Sequence, residues 1–489
     1  MDIDVPEENT QASTSQPKRS FTVPVDDAHP FDLESYISNY SGRTAVDRLI
    51  HIIQLCPTIA VDAFHLAIQH IHQSRDPSQY QGLVTAYEQA HANANGSLPP
   101  ISEFASLSTR WIDETLAKNQ SDRLKLEMEL KTYSNNMIKE SIRMAHRDLG
   151  DFYRVIGEYA TSLKHYTKSR EYCTTSQHVL DMCLSVLELL IEQRNYGHLP
   201  TYVFKAEAAL DAATAAASAS ANKDAPTPMV STGAKKSSPE RDRVQSKLDF
   251  ATALSYLGQD NYEKASYNLL RLGSTKDLGE WIGRLVSPSD IAIYGTICAM
   301  ASLSRSAFKA RVLDNSSFGV YIEQEPYLRE LIEAYMASKF QTVLDLLSRY
   351  STRHYIDIHL TSHVHALMNA IKNRAVVLYF QPFSSIRLDR MSQAFGWSVD
   401  ETEGQVVTLI QSGDIQGRVD SQNKILQVKQ VDHRADLFAR AIRAGNDMHS
   451  ANRKLLLRMR LQQLDLVIKP PKGASSSHQS SMGEYIQVE

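Results

Sequence analysis

Four cysteines, Cys56, Cys173, Cys183 and Cys298, are spread so widely through 489 residues that no Cys-x-x-Cys pair and no disulfide-dense segment arises. That excludes a disulfide framework and a cysteine zinc module, and predicts buried thiols in a reducing compartment. No run of about eighteen apolar residues occurs, and the opening MDIDVPEENTQASTSQPKR has no apolar signal core. A soluble intracellular protein with no membrane partner is expected. Charge of one sign is also missing: 52 Lys and Arg against 56 Asp and Glu leave a net charge of -4. Nothing steers the whole molecule toward nucleic acid, so such a site would have to be local. Phosphate loops and nucleophile elbows are absent too, with no Gly-x-Gly-x-x-Gly, no Gly-Lys-Ser/Thr and no Gly-x-Ser-x-Gly.

What is present is helical periodicity. The length predicts two to four structural units. Residues 1–30, rich in Ser, Thr, Pro and acids, read as a disordered tail. From Phe31 apolar stripes recur at helical spacing: Leu33, Tyr36, Ile37 and Tyr40, then Val46 to Ile53, then Ala63 to Ile71. Between Leu116 and Met144 a charged helical stretch carries only a narrow stripe. The stretch after it, Leu149-Gly150-x-x-Tyr153 with Ser162, Tyr166 and Ser169, resembles a tetratricopeptide repeat, in which small residues admit a neighbouring helix and aromatics fill the groove. Polar turns followed by an aromatic recur at Tyr196, Tyr262 and Phe340. The fold class is therefore mostly α, a right-handed stack of helical hairpins. The expected organisation is a repeat arm over 31–211, a low-complexity insertion over 212–241, a helical unit over 242–378, a winged helix over 379–431, a C-terminal helix over 432–468 and a disordered tail over 469–489.

The winged helix is the sharpest local signal. Ile386, Leu388, Met391 and Phe395 predict one helix closed by Gly396; Ser398 caps a second carrying Val399, Val406, Leu409 and Ile410. A hairpin follows, with Ile415 and Val419 on one strand, turn chemistry at Asp420-Ser421-Gln422-Asn423, and Ile425, Leu426 and Val428 on the return. If Leu426 and Val428 face the core, Ile425 points outward, and it is expected at a free sheet edge open to another protein's strand. Beyond Gly445, Leu455, Leu456, Met459, Leu461 and Leu464 give the last helix more apolar surface than one neighbour covers. These ten residues are the candidate protein-interaction sites.

No catalytic, cofactor or metal residue is expected. His359 and His363 stand one helical turn apart, but Leu360 occupies the place of a zincin's Glu. A deubiquitinase-type His-x-His pairing would need Asp where Val376 stands. The second winged-helix helix carries Asp400, Glu401 and Glu403 and no Lys or Arg, which argues against a DNA duplex.

Helical hairpins, a winged helix and a terminal helix together resemble PCI-domain proteins. The stretches LESYISNYSGRTAVDRLIHI, LGDFYRVIGEYATSLKHYTKSREYC, SPSDIAIYGTICAMASLSR and HVHALMNAIKNRAVVLYFQPFSSIRLDRMSQAF resemble the COP-9 signalosome's PCI subunits, those of the subunit 1 type in particular. The resemblance implies a non-catalytic scaffold in the complex that removes Nedd8 from cullin-RING ligases, in cytoplasm and nucleus. Its implied partners are the other PCI subunits, through winged-helix edges and a C-terminal helix bundle, the catalytic metalloprotease subunit and the cullin-RING ligases. A proteasome-lid PCI subunit is the alternative, and a nucleic-acid-associated PCI protein a further one.

Overall fold

A computed structural model describes residues 22–94, 98–104, 109–221, 239–429 and 433–466. Residues 1–21 and 469–489 of the expected tails, 222–238 of the expected insertion and 430–431 of the expected winged helix lie outside the described residues.

The chain begins with α1 (Leu33–Ser38), α2 (Arg43–Leu55), α3 (Ala60–Gln73) and α4 (Pro77–Asn93) around a core of their own. Leu49, Ile53, Phe64 and Tyr87 are fully buried in it. Part of the expected tail belongs to this unit: Val23 is buried, and its N–H donates to the Leu55 carbonyl at 2.9 Å. Val25 packs on the same core and Thr352 Oγ1 donates to the Pro24 carbonyl at 2.7 Å, so contacts with distant elements hold a segment that its polar composition argues against.

After α5 (Ile101–Phe104), α6 (Thr109–Asn135) leaves Leu124 and Met128 exposed and lays Leu126 and Leu130 against α7 (Lys139–Val155). The α7–α8 (Tyr159–Ser169) hairpin has the tetratricopeptide contact: a Cβ on Gly150 would come within 2.6 Å of the Tyr166 ring. Ser162 Oγ donates to the Gly150 carbonyl at 2.7 Å. Then come α9 (Ser176–Glu192), α10 (Leu199–Ala221) and α11 (Pro239–Leu257). The expected insertion is thus shorter than its composition suggested, because the Ala-rich tract has the best intrinsic helix propensity and continues α10.

The stack continues through α12 (Tyr262–Leu270), α13 (Thr275–Leu278), α14 (Pro288–Ser302), α15 (Arg305–Phe308), α16 (Ser316–Ile322), α17 (Pro326–Met336), α18 (Phe340–Arg349), α19 (Ser351–Ile356) and α20 (Val364–Phe380). The same turn closes α7, α9, α11 and α17. The N–H groups of Glu158, Asn195, Asn261 and Lys339 each reach the carbonyl five residues back. The residue before each has positive φ: Gly157, Arg194, Asp260 and Ser338. This is the Schellman closure, used at three of the four sites without glycine, where the backbone must accept some strain. Helix α14 is buried almost throughout from Asp290 to Met300, and the main core runs unbroken from Tyr166 to Leu426.

The N-terminal unit does not sit at the far end of an arm, as its place in the chain suggests. It docks on the middle of the stack through a buried ionic cluster. Arg48 of α2 donates to Asp290 of α14 at 2.9 Å and to Asp357, just after α19, at 2.7 Å. Tyr40 and Arg353 also donate to Asp290, at 2.6 and 2.9 Å. Tyr294 and the His359 and Leu360 N–H groups hold Asp357. Burial alone would raise the Asp357 carboxyl, but Arg48 beside it, with His359 and Arg353, holds it below the usual carboxylate range.

The winged helix follows with β1 (Ser385–Arg387), α21 (Leu388–Phe395), α22 (Val399–Gln411), β2 (Gly417–Asp420) and β3 (Ile425–Val428). Helix α20 is its first helix, so the unit begins before Tyr379. Ile386 lies in a strand rather than in α21. Gly396 takes the left-handed conformation at φ 71 and ends α21, and Ser398 with Glu401 forms a capping box on α22. The sheet order is β1-β3-β2, antiparallel throughout. Helix α23 (His433–Gln463) completes the described chain.

Candidate assembly interface

The sheet order decides which backbone groups are free. Ser384, Ile386 and Leu388 pair with β3 on one side, and Gln416, Arg418 and Asp420 on the other, as the bonds Val428 N–H to Ser384 O, Leu388 N–H to Lys424 O and Lys429 N–H to Gln416 O require. The intervening residues therefore direct their N–H and C=O groups outward: Ser385 and Arg387 on β1, Gly417 and Val419 on β2. Ile425 is not at an edge. It sits on the central strand, between Arg387 and Asp420, on the outer face of the sheet. The expectation failed because β1 is three residues long and its pairing with β3 spans some forty residues that no local pattern reports.

The other expected edge residues divide by burial. Ile415 and Leu426 are buried, with Leu426 sealed against Ile386 and Val419 across the inner face, so they belong to the core. Val419 is half-buried, and Val428, in register with Gly417, is 38% exposed. Of the five, Val428 and Ile425 present side-chain surface, while Val419 offers its backbone. Sequence reasoning missed Arg387, Arg418 and Gln427, which with Ile425 make the outer face mixed and polar. Their alternation with Ile386, Val419 and Leu426 was the signal.

Helix α23 is different in kind. Every residue from Arg434 to Leu466 whose surroundings are described is exposed, apart from half-buried Ala439. Leu455, Leu456, Met459, Leu461 and Leu464 are 38–68% exposed, and Leu437, Phe438 and Ile442 join them. So much exposed apolar surface on one helix makes α23 a candidate interaction element.

The chemistry of the remaining candidates is structural. Tyr196 OH meets His359 Nδ1 at 2.6 Å, Tyr327 OH meets His354 Nε2 at 3.0 Å, and His363 Nδ1 meets Asp260 Oδ1 at 2.9 Å. Each histidine ties a different hairpin to the core. Burial pushes His359 down to about 4 and His354 to about 3, leaving both neutral. Among the described residues no three His, Cys, Asp or Glu converge on a metal-ligating geometry. On α22, Lys424 binds Glu403 at 2.6 Å and Asp400 at 3.4 Å, so the wing's lysine neutralises its own helix rather than a phosphate. The Lys424 bond, with one from Ser421, lowers the Glu403 pKa.

Comparison with known proteins fits this layout. Residues 328–430 match the PCI domain family, and residues 108–311 match the family described as 26S proteasome subunit RPN7. COP9 signalosome complex subunit 1 of Arabidopsis thaliana is 32% identical over 441 residues, covering 90% of this chain and 91% of that protein. The subunit 1b of Drosophila melanogaster is 31% identical over 478 residues, covering 90% and 86%. The chain belongs to the COP9 signalosome subunit 1 family. The 26S proteasome non-ATPase regulatory subunit 6 of Dictyostelium discoideum is 19% identical over 344 residues, covering 70% of this chain and 82% of that protein.

Proposed function

We propose that the protein is a non-catalytic scaffold subunit that supports removal of Nedd8 from cullin-RING ligases by assembling with other PCI subunits. The single observation that carries this reading is α23, whose leucines stand in solvent along the whole helix. Burying one such side chain is worth about 1.5–3 kcal/mol, so partner helices would gain strongly by enclosing them. In this reading α23 enters a bundle with its counterparts, and a neighbouring winged helix adds a strand at Gly417 and Val419 of β2. The catalytic metalloprotease subunit would be held in the same bundle, and the cullin-RING ligases would meet the assembled complex, in cytoplasm and nucleus. Gel filtration of the full chain with its PCI neighbours tests the assembly. Leu455→Asp with Leu461→Asp should abolish co-elution while leaving the melting curve of the isolated chain unchanged. Undiminished co-elution would refute it.

A further inference from the structure

Strand addition alone does not say which neighbour binds, because any extended backbone satisfies the free groups of Gly417 and Val419. In a family of homologous winged helices the choice must come from side chains. Beside β2 lies a cleft of about 1130 Å³, walled on the strand side by Asp414, Ile415, Gln416 and Val428. Its opposite walls come from the start of α15, the end of α17 and a half-buried flank of α20. Three cations line it, Arg305, Lys309 and Arg374, against the single carboxylate Asp414.

No carboxylate within the described chain neutralises those cations. None of the three meets a carboxylate at ion-pair distance among the described residues, and Arg374 Nε is buried without a hydrogen-bond partner. Arg305 spends its donors on Ser338 Oγ, at 2.9 Å, and on the Met336 carbonyl. Asp414 accepts from Ser412 Oγ at 2.7 Å and stands at ion-pair distance from none of them. Lys309 opens a π-helical turn, Lys309–Leu313, a rare geometry that recurs at functional positions. Apolar Met336, Val377, Leu378 and Val428 share the cleft with the cations, giving it the mixed lining of a peptide site rather than that of a phosphate backbone track.

We propose that this cleft receives an acidic extended segment of the PCI subunit that adds its strand to β2, and that its carboxylates on Lys309, Arg374 and Arg305 select that neighbour. The inference rests on the strand-addition reading above. A strand continuing past Gly417 along Gln416 and Ile415 runs beside the cleft, so its side chains reach the cations while its backbone pairs with the edge. Charge complementarity at such a site supplies specificity and association rate beyond the common backbone pairing.

The test uses the full chain and its assembled PCI neighbours. Zero-length carbodiimide coupling should join Lys309 to an Asp or Glu of one neighbour, identified by mass spectrometry. Lys309→Glu, whose side chain makes no hydrogen bond to the rest of the described chain, should weaken binding of that neighbour roughly tenfold or more and remove most of its salt dependence. The isolated chain's melting curve should stay put, and Lys309→Arg should retain binding. Val419→Pro separates the two readings, since it removes an outward N–H of the edge without touching the cleft. If Val419→Pro weakens the neighbour but Lys309→Glu and Arg374→Glu change neither affinity nor salt dependence, the acidic-segment inference falls alone. If Val419→Pro also has no effect, strand addition itself is refuted. Binding of a single-stranded oligonucleotide that Lys309→Glu abolishes, with subunit affinity untouched, would overturn the inference in favour of nucleic acid.

Discussion

Replacing Arg48 by Met should detach the N-terminal unit from the centre of the molecule. The methionine keeps the apolar stem but removes the guanidinium from a cluster in which Arg48, Asp290 and Asp357 are each 0–1% exposed. Asp290 retains Arg353 and Tyr40. Asp357 retains only neutral donors, Tyr294 OH and two backbone N–H groups, together with more distant positive charge. Breaking a buried pair by removing one partner costs about 3–5 kcal/mol, because an unpaired charge remains. The loss of the Tyr36 hydroxyl bond and of the stacking over the Tyr40 ring, 4.1 Å away, falls in the same direction. Amide hydrogen exchange followed by mass spectrometry is the assay. If α1–α4 open as a unit, their exchange should accelerate roughly a hundred- to several-thousand-fold, following the same 3–5 kcal/mol, with little change in α7 and α8. Adding Asp357→Asn to Arg48→Met should recover part of the protection. An acceleration below tenfold, or one spread evenly over the stack, would refute the view that this cluster holds the unit in place.

Gly150→Ala should destabilise the α7–α8 hairpin by about 1–3 kcal/mol through overpacking on Tyr166, seen as faster exchange confined to those helices. Leu426→Asp should unfold the winged helix outright, whereas Ile425→Asp should leave it folded; circular dichroism melting of the two variants checks the corrected strand order. His354 and His359 are held neutral by burial, with pKa values of about 3 and 4. As pH falls below about 6.5, the unfolded chain takes up protons that the fold refuses, so the stability contributed by neutral burial is complete above that pH and declines toward pH 4. The urea midpoint should therefore drop across that window, and His359→Gln should flatten the drop; a midpoint constant from pH 7 to 4 would contradict the assignment. The lowered Asp357 carboxyl adds a further loss only below about pH 4, as the pH falls toward its folded value.

Local pattern carried much of this architecture. Gly396, Ser398 and the periods of α21, α22 and the wing hairpin were legible because each is fixed within a few residues. So was the Gly150, Ser162 and Tyr166 grammar, and so was the surplus of leucines on α23. Features set by distant partners were not. Arg48 reads as one more charge on an amphipathic helix until Asp290 and Asp357, 242 and 309 residues away, are beside it. The sheet edge was misplaced for the same reason, since β1 has meaning only against β3. The Ala-rich tract was read from composition as loop, although its propensity favours helix.

The docking of α2 on Asp357 also sets a schedule for synthesis. Arg48 leaves the ribosome 309 residues before the carboxylate that completes its pocket. At a typical 5–20 residues per second, roughly 15–60 s pass in which the N-terminal unit lacks its last ionic partner and the apolar contact of Ile356. Nascent chains stalled near residue 300 should therefore bind chaperones through α1–α4, while chains released after α20 should not. A fold that closes its first helices on residues so far downstream is one whose N-terminal unit cannot mature until the chain has been made past Asp357.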